Sequence, residues 1–144
     1  MKVNIKKLDP NAVIPKRMTA GAAGMDVVAT SKSYDPDAAF IEFGTGLSFE
    51  IPEGYAAFLY PRSSITKTGY ILGNSVGILD ADFRGELKFR FKIAYGYGDL
   101  GGYEVGDRIG QIVVMPVPEI EFVEVEEFDI TTERDKNGFG STGV

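Results

Sequence analysis

Arg62, Ser63 and Ser64 follow a proline at the end of a strand-like run, YAAFLY, where a short helix could begin. Backbone N–H groups at such a start, with a guanidinium beside them, can hold a phosphate. The same residues also suit a proline turn with a serine cap and an arginine paired to a carboxylate, so two readings stand. A second stretch, NSVGILDADFRG over 74–85, reads as an apolar arm, an acidic tip and a return strand. Asp80 or Asp82 in such a hairpin could orient an attacking water. An ordinary aspartate turn is the alternative. A third, GDRIGQ over 106–111, takes the chain through a Gly-Asp turn into an apolar run that holds one amide, Gln111. Its plainest reading is a buried amide satisfied by backbone.

The end of the chain, RDKNGFGSTG over 134–143, offers glycines, hydroxyls and Arg134 as donors able to wrap phosphates. No GKS or GKT follows, so this is not a Walker loop. Phe139 stands between two glycines with no core to join. Stacking on a flat ligand would explain it, and an unstructured polar end is the alternative.

Composition narrows the chemistry. Among 144 residues there is no Cys and no His. Thiolate and imidazole chemistry, disulfides and the common zinc sites are excluded. Proton transfer falls to Asp, Glu, Lys, Tyr or water. A metal must be a hard cation on oxygen ligands, such as magnesium. The formal charge of −6 argues against nucleic-acid polymer as a partner. No segment approaches the roughly 20 apolar residues of a membrane span. A soluble cytoplasmic protein, or one of the host-cell cytoplasm if viral, is the expectation.

The elements that must position these groups read as strands. Apolar residues are 44% of the chain, with 18 Gly and 17 Tyr and Phe, and helical periodicity is absent. Residues 39–43 and 46–51 flank a Gly-Thr pair, a hairpin signal. Residues 86–93, ELKFRFKI, place Leu87, Phe89, Phe91 and Ile93 on one face and charges on the other. Residues 109–117 read as a buried strand, and 120–125 alternate again. One short helix is expected at 63–68, capped by Ser63 or Ser64 and ended by Gly69. The expected fold is all-β, a jelly-roll-like barrel or sandwich over 1–133, with a flexible Gly-rich arm over 134–144.

Together with Ala23-Gly24-Met25-Asp26, these stretches resemble the five ordered motifs of the trimeric dUTPase family, spanning residues 23 to 143. The resemblance implies a homotrimer with active sites at subunit interfaces. It implies hydrolysis of dUTP to dUMP and pyrophosphate with Mg2+, limiting uracil in DNA and supplying dUMP for dTMP synthesis. Arg62, Ser63 and Ser64 match the phosphate-binding turn. Asn74 and the backbone of Gly77, Ile78 and Leu79 match the uracil reader. Asp80 matches the carboxylate that activates water for attack on the α-phosphorus. Phe83 stands where Tyr is usual, under the deoxyribose, and Lys88 contacts the nucleotide through its backbone. Gln111 matches a phosphate contact. Arg134, Phe139, Gly140, Ser141 and Thr142 match the closing arm, with Arg134 at the γ-phosphate and Phe139 over uracil. Asp26 is expected to reach the magnesium only through water.

Departures are Gly110 for Ala, Asp135 and Asn137 for glycines, Ile93 for Asn, and a longer 94–105 loop, which leaves room for a regulatory protein partner. Two rivals remain. A dCTP deaminase needs a Glu where Arg90 stands. A non-catalytic nucleotide-binding module has no need of Asp80.

Overall fold

The computed structural model describes residues 1–37, 39–94, 101–130 and 132. Ten strands carry the fold: β1 (Asn4–Lys7), β2 (Met25–Val28), β3 (Ser31–Asp35), β4 (Phe40–Gly44), β5 (Leu47–Glu50), β6 (Tyr55–Tyr60), β7 (Tyr70–Leu72), β8 (Gly77–Leu79), β9 (Lys88–Ile93) and β10 (Arg108–Pro116). Two four-stranded sheets, β2-β10-β6-β8 and β3-β4-β9-β7, and the β1-β5 ribbon make an all-β sandwich.

Period-2 alternation fills the space between the sheets. On β9, Phe89 and Phe91 are buried while Lys88, Arg90 and Lys92 face water. Phe43 of β4 meets Phe91 edge-on at 5.8 Å, and Val27, Ile109 and Ile112 close the core from the opposite sheet. Ile93, expected on the same inner face, is half exposed, because β9 has reached the edge of the core.

Three expectations are corrected. Residues 39–51 do not form a hairpin: β4 pairs with β3 and β9, whereas β5 pairs with β1. Thr45 is buried rather than at a turn tip, and its Oγ1 donates to the Leu87 carbonyl at 2.7 Å. Gly46, at φ +65°, then carries the chain between sheets. The expected helix is a single 3-10 segment, Ser63–Lys67. Arg62 is its N-cap, no side chain caps it, and Thr68 rather than Gly69 ends it, its N–H donating to the Ile65 carbonyl. Residues 120–125 form no strand. No described edge of this chain pairs with them, so Ile120, Phe122, Val123 and Val125 stand exposed.

Candidate functional site

The middle of β10 builds the first half of the site. Gln111 pairs with Asp26 of β2 on one side and Tyr60 of β6 on the other. Asp26, Gln111 and the Pro61-Arg62 turn therefore share one end of the sheet. Arg62 Nε donates to Asp26 Oδ1 at 2.8 Å, and Arg108 Nη1 donates to Oδ2 at 3.1 Å. Arg62 Nη1 also donates to Ser64 Oγ at 3.2 Å, and Gln111 Nε2 to the Pro61 carbonyl at 3.0 Å. The plain readings of Arg62 and Gln111 are thus physically present. The same bonds fix three donors, Arg62, Ser64 and Gln111, around one turn. Gly24 makes room for this: a Cβ there would lie 2.2 Å from Gln111 Oε1.

The second half lies between the sheets. A cleft of about 510 Å³ is lined by Asn74, Gly77, Ile78, Leu79, Asp80, Phe83 and Lys88, together with Phe40, Glu42, Arg90 and Lys92. The 74–85 stretch was expected to be a hairpin with its return strand. Instead β8 pairs with β6 while β9 pairs with β4 and β7. The arms are unpaired because the chain crosses from one sheet to the other, and the gap between them is the cleft. Gly77 lets β8 lie close on β6, since a Cβ there would sit 3.0 Å from Leu59 Cβ. Ile78 points outward and its backbone lies at the cleft wall.

The Asp80 corner is pinned from below. Phe83 N–H donates to the Asp80 carbonyl at 3.2 Å, and Ser48 Oγ to the Arg84 carbonyl at 2.8 Å. Phe83 folds over Gly85, where a Cβ would meet its ring at 2.5 Å. On the opposite wall Lys88 Nζ and Arg90 Nε each donate to Glu42 at 2.7 Å, and Arg90 stacks on Phe40 at 4.5 Å. The Lys88 ammonium, then Arg90, hold the Glu42 carboxyl below its ordinary range.

The two halves are not together. Leu79 pairs with Ala57 near the start of β6, so Asp80 continues beside Ala56. Arg62 lies beyond the other end of β6. Six residues of extended chain separate those positions by about 20 Å, longer than a chain of three phosphates. The cleft wall includes none of Arg62, Ser63, Ser64 or Gln111. Arg134, Phe139, Gly140, Ser141 and Thr142 lie outside the described residues.

Arg108 belongs to the first half and was missed as a single residue. Arg108 was legible within GDRIGQ. Tyr103 lies against Phe43, Tyr70 and Phe91, which no sequence spacing reveals. No three His, Cys, Asp or Glu side chains converge on a metal position among the described residues. Asp26 already binds two guanidinium groups. The described residues thus present no protein cage for a cation.

A family model described as dUTPase matches residues 10–143. The deoxyuridine 5'-triphosphate nucleotidohydrolase of Fusobacterium nucleatum is 42% identical, covering 99% of this chain and 98% of that protein. That of Hydrogenobaculum sp. is 38% identical, covering 100% and 99%. Among solved structures, a mutant Staphylococcus bacteriophage 80alpha dUTPase with dUpNHpp superposes at TM-score 0.80, with 27% identity and 99% of both chains covered. A mutant dUTPase of phage phi11 of S. aureus, described for the coordination of a structural Mg(II) ion, superposes at TM-score 0.74 with 26% identity, covering 90% and 100%.

Proposed function

The chain belongs to the dUTPase family, a dUTP-hydrolysing enzyme, and we propose that its active site is assembled from more than one copy of the chain in a homotrimer. The observation that carries this is the separation of Asp80 from Arg62 across the length of β6. A carboxylate must lie within hydrogen-bond reach of the water it activates, and the phosphates that Arg62 holds belong to the same substrate. One chain cannot supply both. The exposed apolar residues of 117–130, among them Phe122 at 91% and Phe128 at 87%, support assembly from a second direction.

In this reading one copy receives deoxyuridine in the cleft. Asn74 and the backbone of Gly77, Ile78 and Leu79 meet the edge of uracil, and the narrow β8 arm leaves no room for the 5-methyl of thymine. Phe83 packs under the deoxyribose and excludes a 2′-hydroxyl. Lys88 meets the nucleotide through its backbone, while its ammonium stays with Glu42. Another copy presents Arg62, Ser63, Ser64 and Gln111 to the phosphates. Asp80 holds a water in line with the α-phosphorus and takes its proton as pyrophosphate leaves. Arg134, Phe139, Gly140, Ser141 and Thr142 close over the substrate and exclude bulk water. Magnesium, when bound, would neutralise phosphate charge, and Asp26 would help to hold it through water. The product dUMP feeds dTMP synthesis, and removal of dUTP limits uracil in DNA.

The test is pyrophosphate release from dUTP, dTTP, dCTP and UTP, with ammonia measured alongside. Release from dUTP should exceed the others by about a hundredfold or more. Ammonia from dCTP, or equal release from dTTP and UTP, would overturn the reading of the cleft.

A further inference from the structure

β10 breaks its ladder beside the phosphate turn. Gln111 pairs with Asp26 and Gly110 with Val27, but Arg108 pairs with Val28, so Ile109 is the extra residue of a bulge. In an unbroken ladder Arg108 would stand opposite Ala29, which is buried with Val27 on the core face. The bulge buries Ile109 and Gly110 in succession and turns Arg108 onto the face of Asp26 and Gln111. There Arg108 Nη1 donates to Asp26 Oδ2 at 3.1 Å, while Arg62 Nε donates to Oδ1 at 2.8 Å. Each oxygen of one carboxylate thus has its own guanidinium.

A carboxylate beside Arg62 poses a conflict for a phosphate site. Alone, Asp26 would orient Arg62 but cancel its charge and repel an incoming anion. Arg108 resolves this, because two guanidinium groups against one carboxylate leave one positive charge at the turn. Asp26 and Arg62 are largely enclosed, at 19% and 24% side-chain exposure, so salt screens this charge less than on an open surface. Asp107, the next carboxylate along the chain, accepts from the Glu104 N–H at 2.7 Å. Arg62 Nη1 donates to Ser64, and its Nη2 has no partner among the described residues, which leaves it for a phosphate. We infer that Arg108 is a positioning residue for the phosphate site: it pins and neutralises Asp26, so that Asp26 orients Arg62 without disarming it. This rests on the assignment of Arg62 to the phosphates.

The experiment compares Arg108→Gln, Arg108→Lys, Asp26→Asn and the double variant of Asp26→Asn with Arg108→Gln, all as full-length proteins. Arg108→Gln should weaken binding of dUpNHpp, read by calorimetry, and raise the KM for dUTP about three- to fivefold, the upper end for a partly exposed ion pair. Its kcat should change less than about twofold, because no reacting atom is touched. Arg108→Lys keeps the charge and should lose less than about twofold. In the Asp26→Asn background, Arg108→Gln should add nothing, because the carboxylate it answers is gone. Unchanged binding in Arg108→Gln overturns the proposal, and a lowered melting temperature beside it would mean that the arginine serves folding alone. An equal loss with and without the Asp26 carboxylate also overturns it, because Arg108 would then meet the phosphate itself. So does an equal loss in Arg108→Lys and Arg108→Gln, which would remove charge as the cause. If Arg62→Ala binds dUpNHpp normally, the reading of the phosphate turn fails. If Arg62→Ala is impaired and Arg108→Gln is normal, only the role of Arg108 fails.

Discussion

Asp80 and Arg62 stand at opposite ends of one strand, β6: the first beside Ala56 through the β8 ladder, the second beyond Tyr60. Two chains each lacking one of these groups should therefore repair one another. Asp80→Asn and Arg62→Ala, unfolded together and refolded as a mixture, should regain about a quarter of the parental activity, since random assembly pairs the intact halves at one site in four. Activity no higher than the sum of the separate variants would show that each chain is self-sufficient.

Asp80→Asn alone removes the carboxylate while keeping shape and a polar tip. Turnover should fall about a hundredfold to ten-thousandfold, the usual contribution of a general base. Binding of a non-hydrolysable dUTP analogue should stay within a few-fold, as read by calorimetry. A variant that turns over normally would remove Asp80 from the chemistry.

Gly110 and Phe89 form a coupled pair across the core. A Cβ at position 110 would sit 2.2 Å from Phe89 Cε1, and Phe89 is fully enclosed. Gly110→Ala should cost about 1–3 kcal/mol through overpacking. Adding Phe89→Ile should recover part of that loss, so the two changes will not be additive. Urea unfolding of the two single variants and the double variant gives the coupling directly. Full additivity would mean that the ring moves aside freely.

Glu42 gives the fold an acid-sensitive element. Lys88, then Arg90, hold its carboxyl below the ordinary value of 4.5. Its folded-state pKa is depressed, so its contribution is present above about that unfolded value and is lost as pH falls through the folded one. Because Lys88 and Arg90 are largely exposed, the contribution is discounted to about 1 kcal/mol or less. Glu42→Gln should be slightly less stable at pH 7 and show a shallower loss between pH 5 and pH 3. Denaturant midpoints across that range, compared with the parent, check it. Parallel curves would mean that the triad does not contribute.

The alternation of ELKFRFKI was legible because Phe89 and Phe91 answer to one sheet face, and binary pattern records faces well. The partner of a strand is another matter. AFIEF, GT and GLSFEI had every local mark of a hairpin, but Thr45 found a carbonyl on Leu87, 42 residues away, and the two strands went to separate sheets. The same limit applied to NSVGILDADFRG: the types and order of Asn74, Asp80 and Phe83 were readable, and the opening between their arms was not. The described site residues fall at two places, Arg62, Ser64 and Gln111 at one and Asn74, Asp80 and Phe83 at the other. Their separation was hidden, because it depends on the direction in which β8 runs against β6. Tyr103 was invisible for a simpler reason: it packs against Phe43, Tyr70 and Phe91, partners distant from it in the chain.

The stretch from Val117 to Ile130, which forms no strand, holds Glu119, Glu121, Glu124, Glu126, Glu127 and Asp129 and no Lys or Arg, which equals the whole formal excess of −6. The rest of the chain is electrically balanced. The sandwich itself therefore presents no net repulsion to an approaching anion. Alternating carboxylates with Ile120, Phe122, Val123 and Val125 also guards newly made chains, because like charges hold sticky ribbons apart until a fitted surface covers them. None of these six carboxylates lines the cleft.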